Sequence, residues 1–284
     1  MSTFENLVGN NKKAVDESLQ GFWGSKTASV NFCEHDYTKT PYVAELWNAL
    51  SSFYLVFLAV VGLLHSNPTG DVAFTVCYLV LGVVGLGSVI LHTTLTSLGQ
   101  ALDELPMLWM CSALFYAFLR LYDPSSKPKP SSFDARAVYI LLFVAVQTTI
   151  YIQIQSLFHV FVCSYLSLVA IILSWSGYLA FNGEPQHMVI RKWLWKRAFG
   201  LYVGVGSATW FVDMHMCDEL TPYQDQLGGV TLHIFWHFAA AAATYFMILL
   251  LVTVRMQHLG REPVLATRWM SPIIMEGKGK CKGQ

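Results

Sequence analysis

Charge is scarce in this chain. Asp, Glu, Lys and Arg make up 13% of its 284 residues, against 54% hydrophobic ones, whereas an ordinary soluble domain carries about 25% charged residues. A water-soluble fold of this length would lack the polar side chains to cover its surface, so that class is excluded. Net charge is missing too: 18 Lys and Arg balance 18 Asp and Glu, and no basic excess points to nucleic acid. Met1 to Gln20 mix both charges and hold no apolar core. They do not read as a cleaved signal peptide, and insertion is expected to rely on the first spanning helix. Six cysteines in a chain this apolar do not make a disulfide scaffold, and no repeat of the transporter kind is visible.

What is present is long apolar runs. A bilayer core of about 30 Å takes roughly 20 apolar residues in a helix. Seven stretches qualify: 45–65, 72–94, 102–121, 137–153, 157–181, 198–216 and 229–254. The fourth is the weakest, being short and holding Gln147 and Gln153. Turn chemistry is dense at Ser66–Gly70, Ser97–Gln100, Asp123–Ser132 and Asn182–Pro185. The expected fold is therefore an all-α membrane protein, a bundle of seven transmembrane helices. Residues 1–44 precede it and residues 255–284 follow as a basic tail.

The cations set its orientation. Lys12, Lys13, Lys26 and Lys39 lie in the N-terminal segment. Arg120, Lys127, Lys129 and Arg136 fall in the third connection, and Arg191, Lys192, Lys196 and Arg197 in the fifth. The tail carries Arg255, Arg261, Arg268, Lys278, Lys280 and Lys282. With seven spans the last three groups share a side, fourteen cations against four. The positive-inside rule places that side, with the C-terminus, in the cytosol and the N-terminus in the lumen or outside.

Ionisable groups inside spans cost several kcal/mol by insertion scales and normally face the bundle interior. Ser88 and His92 lie four apart near the end of the second span, on one helical face. Asp103 opens the third, with Pro106 in its first turn, and His233 and His237 lie early in the seventh. The alternating directions of the spans bring all five to the luminal third. Three histidines can ligate a catalytic zinc and leave a position for water, whose pKa the ion lowers toward 7. Asp103 could then carry the proton, and Ser88 could donate to a developing oxyanion. The His-x-x-x-His spacing by itself equally fits packed imidazoles bonded to carbonyls. Trp109, Trp175 and Trp210 read as interface and packing residues, and Ala239 to Ala243 as a close helix contact.

A second cluster, Asn31-Phe-Cys-Glu-His-Asp36 with Glu45, offers hard oxygen ligands of the kind calcium takes, although not at EF-hand spacing. Acidic loops are also commonly just solvated. Cys33 and Cys217 fall on the luminal side, where both a bridge and two free thiols are compatible with the sequence. Cys77, Cys111 and Cys163 read as small apolar fillers.

Several blocks carry a family resemblance: Gly21-Phe-Trp-Gly24, Cys33-Glu34, Tyr42-Val-Ala-Glu45-Leu-Trp-Asn48, Gly87-Ser88 with His92, Asp103-Glu-Leu-Pro-Met107, Trp210 to Cys217, and His233-Ile-Phe-Trp-His237. In this order they resemble the alkaline ceramidases, within the wider CREST group of seven-helix hydrolases. The resemblance implies that His92, His233 and His237 hold Zn2+, with Ser88 and Asp103 completing the catalytic set. It implies a Ca2+ site at Asn31, Phe32 through its carbonyl, Glu34, Asp36 and Glu45, and a disulfide between Cys33 and Cys217. Asn31-Phe32 stands where the family commonly has Asp-Trp, and Asp36 where it commonly has Asn, so one carboxylate is lost and one gained. The implied reaction is hydrolysis of ceramide to a sphingoid base and a fatty acid in the endoplasmic reticulum or Golgi membrane, the lipid entering laterally between helices. Alternatives are a sister of the same group, adiponectin-receptor-like or GPI-lipid remodelling, and a non-enzymatic seven-helix receptor or transporter. The Glu34, Asp36 and Glu45 block favours the ceramidase reading over the sisters.

Overall fold

A computed structural model describes residues 21–124 and 134–277. Lys12, Lys13, Lys127, Lys129, Cys281 and the three lysines after residue 277 lie outside the described residues. The chain runs α1 Leu46–His65, α2 Val72–Thr94, α3 Ser97–Arg120, α4 Ala135–Ile154, α5 Phe158–Phe181 and α6 Pro185–Phe199. A π-helical segment, Gly200–Gly206, joins α6 to α7 Ser207–His215, and α8 Cys217–Gln226 and α9 His233–His258 follow. An antiparallel hairpin, β1 Pro263–Arg268 and β2 Ser271–Glu276, ends the described chain. Among the described residues six helices, α1 to α5 and α9, are long and apolar enough to cross a membrane.

Three boundaries depart from the sequence expectation. α3 begins at Ser97 rather than 102, because the Thr96 side chain caps Gly99 N at 3.0 Å and Gln100 is buried instead of turning in solvent. Asp103 therefore sits in the second turn and Pro106 in the helix interior. A proline there has no N–H for the carbonyl four residues back, that of Leu102. That carbonyl abuts Gly87 of α2, where an added Cβ would meet Leu102 O at 1.8 Å. Glycine at position 87 thus admits the backbone contact that sets Ser88 beside Asp103. The sixth span is the second departure. Helix runs from Pro185 through the π segment to His215, so Arg191, Lys192, Lys196 and Arg197 stand on α6 and not in a loop. Pro185 opens it at N1, where a missing N–H costs nothing. The last span starts at His233, not 229, and runs to His258, so Arg255 is helical.

α9 is the most enclosed helix, with Ile248 to Val252 fully buried between its neighbours. Its alanines permit the close approach expected of them, Ala239 Cβ lying 3.4 Å from where a Cβ on Gly206 would stand. α4 buries only Tyr151. It is held to α3 by a polar ladder: Tyr151 Oη donates to Glu104 Oε2 at 2.8 Å, Trp109 Nε1 to Thr148 Oγ1 at 3.0 Å, and Ser112 Oγ to Gln147 Oε1 at 3.0 Å. Gln147, which makes the fourth stretch look weak, is a rung of that ladder, and such bonds hold helices together where lipid offers no hydrophobic drive.

Near the C-terminal ends of α3 and α9 lies a charged cluster. Arg120 Nε donates to Asp71 Oδ1 at 3.1 Å and Arg120 Nη1 to Asp134 Oδ2 at 3.1 Å. Arg136 grips Asp123 through both terminal nitrogens, at 2.7 and 2.8 Å, and holds the Asp123 carboxyl below its usual range. The fully buried Arg255 donates to the carbonyls of Leu121 and Asp123 and lies 3.4 Å from Asp71. The tail is likewise not plain solvated chain, since Ile273 and Ile274 of the hairpin are buried against the helices. Cys77 and Cys111 are buried fillers as expected; Cys163 is exposed on α5.

Candidate metal centre and active site

His92, near the end of α2, and His233 and His237, in the first turns of α9, bring one nitrogen each within 4.8 Å of one another. All three rings are buried. His92 Nε2 and His233 Nδ1 have no hydrogen-bond partner. Buried imidazole nitrogens without partners are costly, and a shared cation would satisfy them. The Nδ1 atoms of His92 and His237 are already occupied. His92 Nδ1 lies 2.5 Å from Glu45 Oε2, and Ser51 Oγ lies 2.7 Å from His237 Nδ1. A carboxylate or hydroxyl on one ring nitrogen fixes the tautomer and aims the other at a metal. Phe32 was expected to act through its carbonyl; its ring also lies against His233, at 3.8 Å between centroids, and near His92 at 5.2 Å.

Ser88 Oγ lies 3.4 Å from His237 Nε2 and 3.0 Å from Ser52 Oγ. Asp103, on α3, is within hydrogen-bonding reach of Ser88. Ser88, Asp103, His233 and His237 all line one cavity of about 300 Å³. Its remaining wall is mostly apolar and includes Met107, Phe161, Tyr202 and Trp236. Trp210, expected in packing, also lines it and lies 6.3 Å from Trp236. The site thus offers imidazole nitrogens, a hydroxyl and a carboxylate at one wall of a mostly apolar pocket.

The acidic loop packs directly on this centre. Ala44 N and Glu45 N donate to the carbonyls of Thr93 and His92, at 3.0 and 2.8 Å, so the loop lies across the end of α2. Glu34 accepts from Trp47 N at 2.8 Å and from Asn48 N at 2.9 Å, capping the first turn of α1 with its carboxylate. Burial pushes the Glu34 carboxyl up to about 7, helped by the charges of Glu45 and Asp213 and opposed by those two backbone donors. Asn31 Oδ1 is buried without a hydrogen-bond partner, and Asp36 Oδ1 and Glu45 Oε1 are buried oxygens of the same loop. Among the described residues the three histidines are the only group of three or more His, Cys, Asp or Glu with ligand atoms within 4.8 Å of one another, so Glu34, Asp36 and Glu45 share a loop without closing into one cage.

Cys33 and Cys217 form a disulfide that ties this loop to the start of α8. Beside it, fully buried Asp213 accepts from Cys33 N at 3.1 Å and from His233 N at 3.2 Å. Asp213 was not singled out in the sequence, nor were Asn48, Ser51 or Glu104. Asn48 Nδ2 donates to Glu45 Oε2 at 3.2 Å and its Oδ1 accepts from Thr231 at 3.2 Å. Polar residues at positions 48, 51 and 52 of an otherwise apolar span share a helix face, a signal that their spacing carried.

Comparison with known proteins shows the family of the chain. A family profile described as Ceramidase matches residues 24–275. The chain is 28% identical to alkaline ceramidase 3 of Mus musculus, covering 88% of this chain and 91% of that protein. It is 30% identical to the putative alkaline ceramidase dcd3A of Dictyostelium discoideum, over 80% of this chain and 86% of that one. With alkaline ceramidase YPC1 of Saccharomyces cerevisiae it shares 24% identity, over 86% and 80% of the two chains. With the profile spanning all but the ends, from the N-terminal loop to the hairpin, the chain belongs to the ceramidase family.

Proposed function

We propose that this protein hydrolyses the amide of ceramide, releasing a sphingoid base and a fatty acid, at a zinc site formed by His92, His233 and His237. The observation that carries this reading is the convergence of three imidazole nitrogens within 4.8 Å, two without partners, at the wall of an apolar cavity that also holds Ser88 and Asp103. Bound there, zinc supplies a Lewis acid and acidifies a coordinated water toward neutral pH. The chain's own residues do the rest. Asp103 takes the proton that water gives up as oxygen adds to the amide carbon. Ser88 donates to the carbonyl oxygen as negative charge develops on it. Asp103 then passes its proton to the nitrogen as the carbon–nitrogen bond breaks. The apolar walls hold the two chains and keep bulk water out.

The loop of Asn31, Phe32, Glu34, Asp36 and Glu45 is proposed to bind calcium, and through Glu45 to brace His92. As for topology, seven spans follow if the helical run 185–215 crosses with the six long helices. The fourteen cations then lie cytosolic and the histidine end faces the lumen of the endoplasmic reticulum or Golgi.

The test is metal content and amide turnover of purified protein over a panel of ceramides. The expected result is one zinc per chain and release of fatty acid, both abolished by His237→Ala while the protein stays inserted. Full turnover by a zinc-free variant would overturn the assignment.

A further inference from the structure

Trp269 and Met270 form the two-residue turn of the hairpin, with φ of 47° and 63°. Turns of this kind take Asn-Gly most easily, and bulky side chains at positive φ are strained there. Such strain persists where it serves something. Neither residue hides its apolar surface, Trp269 being 53% and Met270 98% exposed.

The setting of this tip says what covers it. The Trp269 ring stands edge-on to His65, 4.9 Å between centroids, and His65 is the last residue of α1. Phe53, Phe57, Val60 and Leu64 form an exposed apolar strip along α1, rising to 62% exposure at Leu64. The tip meets α1 through His65, one residue beyond Leu64 at the same end of the helix. The hairpin is clamped at this height: Tyr245 Oη donates to Pro272 O at 2.9 Å and Arg261 Nη1 to Pro68 O at 3.1 Å. Arg268 ends β1 next to the tip.

We propose that the Trp269–Met270 tip is a lipid anchor, inserted in the interface of the leaflet at the end of the bundle opposite the histidines. Three observations choose the bilayer as occupant: the exposed apolar tip itself, its level at the end of α1 (a helix long and apolar enough to span), and a cation at the flank. Tryptophan and arginine are the side chains that settle at headgroup depth. The anchor would hold the tail against α1 and α9 from outside, as Ile273 and Ile274 hold it from inside.

The test uses the full chain with Cys163→Ser and Cys281→Ser, carrying Met270→Cys labelled with an environment-sensitive fluorophore, in phosphatidylcholine nanodiscs. The expected result is blue-shifted emission and about twofold or greater quenching by a spin label in the upper acyl chain, as for an interfacial apolar segment. A label at Gln226→Cys, on exposed α8, should stay unquenched. Retained ceramide turnover would show that the labelled chain is folded, since Met270 is almost wholly exposed. Aqueous, unquenched emission from the labelled tip would overturn the proposal. So would shielding found only in native membranes and absent from pure lipid, which would assign the tip to a protein partner.

Discussion

His92 Nδ1 lies 2.5 Å from Glu45 Oε2, and both side chains are fully enclosed. Glu45 belongs to the acidic loop and His92 to the histidine cluster at the end of α2, so one carboxylate joins the two. Glu45→Gln should keep the fold and lower zinc affinity by about 10–100-fold, the usual cost of losing a carboxylate behind a ligating histidine. Zinc titration against a competing chelator measures it. An unchanged affinity would mean that the contact does not orient the ring.

Asp103 lines the same cavity as Ser88, His233 and His237, and its proposed role there is to carry the proton. Asp103→Asn is expected to retain zinc at wild-type stoichiometry and lose about 10²–10⁴-fold in kcat, the range for general acid–base groups. Metal analysis and turnover on the same preparation separate this from a structural defect.

Gly87→Ala should be disproportionately harmful for a single methyl. The new carbon would stand 1.8 Å from Leu102 O, a backbone atom that cannot swing aside. Overpacking typically costs about 1–3 kcal/mol. Here α2 and α3 must also part, carrying Ser88 away from Asp103. Thermal unfolding and turnover should both fall, whereas Gly200→Ala should cost far less, because an added Cβ there meets nothing within 4 Å and the backbone is not at positive φ.

The raised Glu34 carboxyl gives a pH dependence with a definite sign. Its folded pKa of about 7 lies above the unfolded value, roughly 4.3 for a free glutamate. The fold therefore prefers the protonated form, and the stability this contributes is complete below the unfolded pKa and lost as pH rises to about 7. Chelator-treated protein should thus melt at progressively lower temperature between about pH 4.3 and 7. Glu34→Gln should flatten that slope, and added calcium should remove it by supplying positive charge. A slope that survives in Glu34→Gln would assign it to another group.

Much of this was legible in the chain itself. Spans of about 20 residues, histidines four apart and the placement of Lys and Arg are one-dimensional patterns, because bilayer thickness, helical pitch and membrane charge asymmetry each act on sequence directly. They located α1, α2, α4, α5 and α9 to within a few residues and put Ser88, His92, Asp103, His233 and His237 together. Ser97 to Gln100 read as a turn, although they are helical, because the bonds of Thr96 to Gly99 and of Gln100 to Ser29 are made only in the folded chain. The same holds for Gln147, whose partner Ser112 lies on another helix.

Composition and periodicity by themselves determined that the chain crosses a membrane as helices and carries imidazoles at one depth. Only the tertiary structure decided which nitrogens stay open for a metal, because Glu45, 47 residues from His92, and Ser51, 186 residues from His237, are brought beside those rings by packing. It alone decided that Pro106 sits inside α3 with Leu102 O against Gly87, and that the tail folds back as a hairpin. Apolar length and helical spacing are local and leave their mark in any window of sequence. A hydrogen bond across two spans exists only once the close approach of helices has fixed the distance.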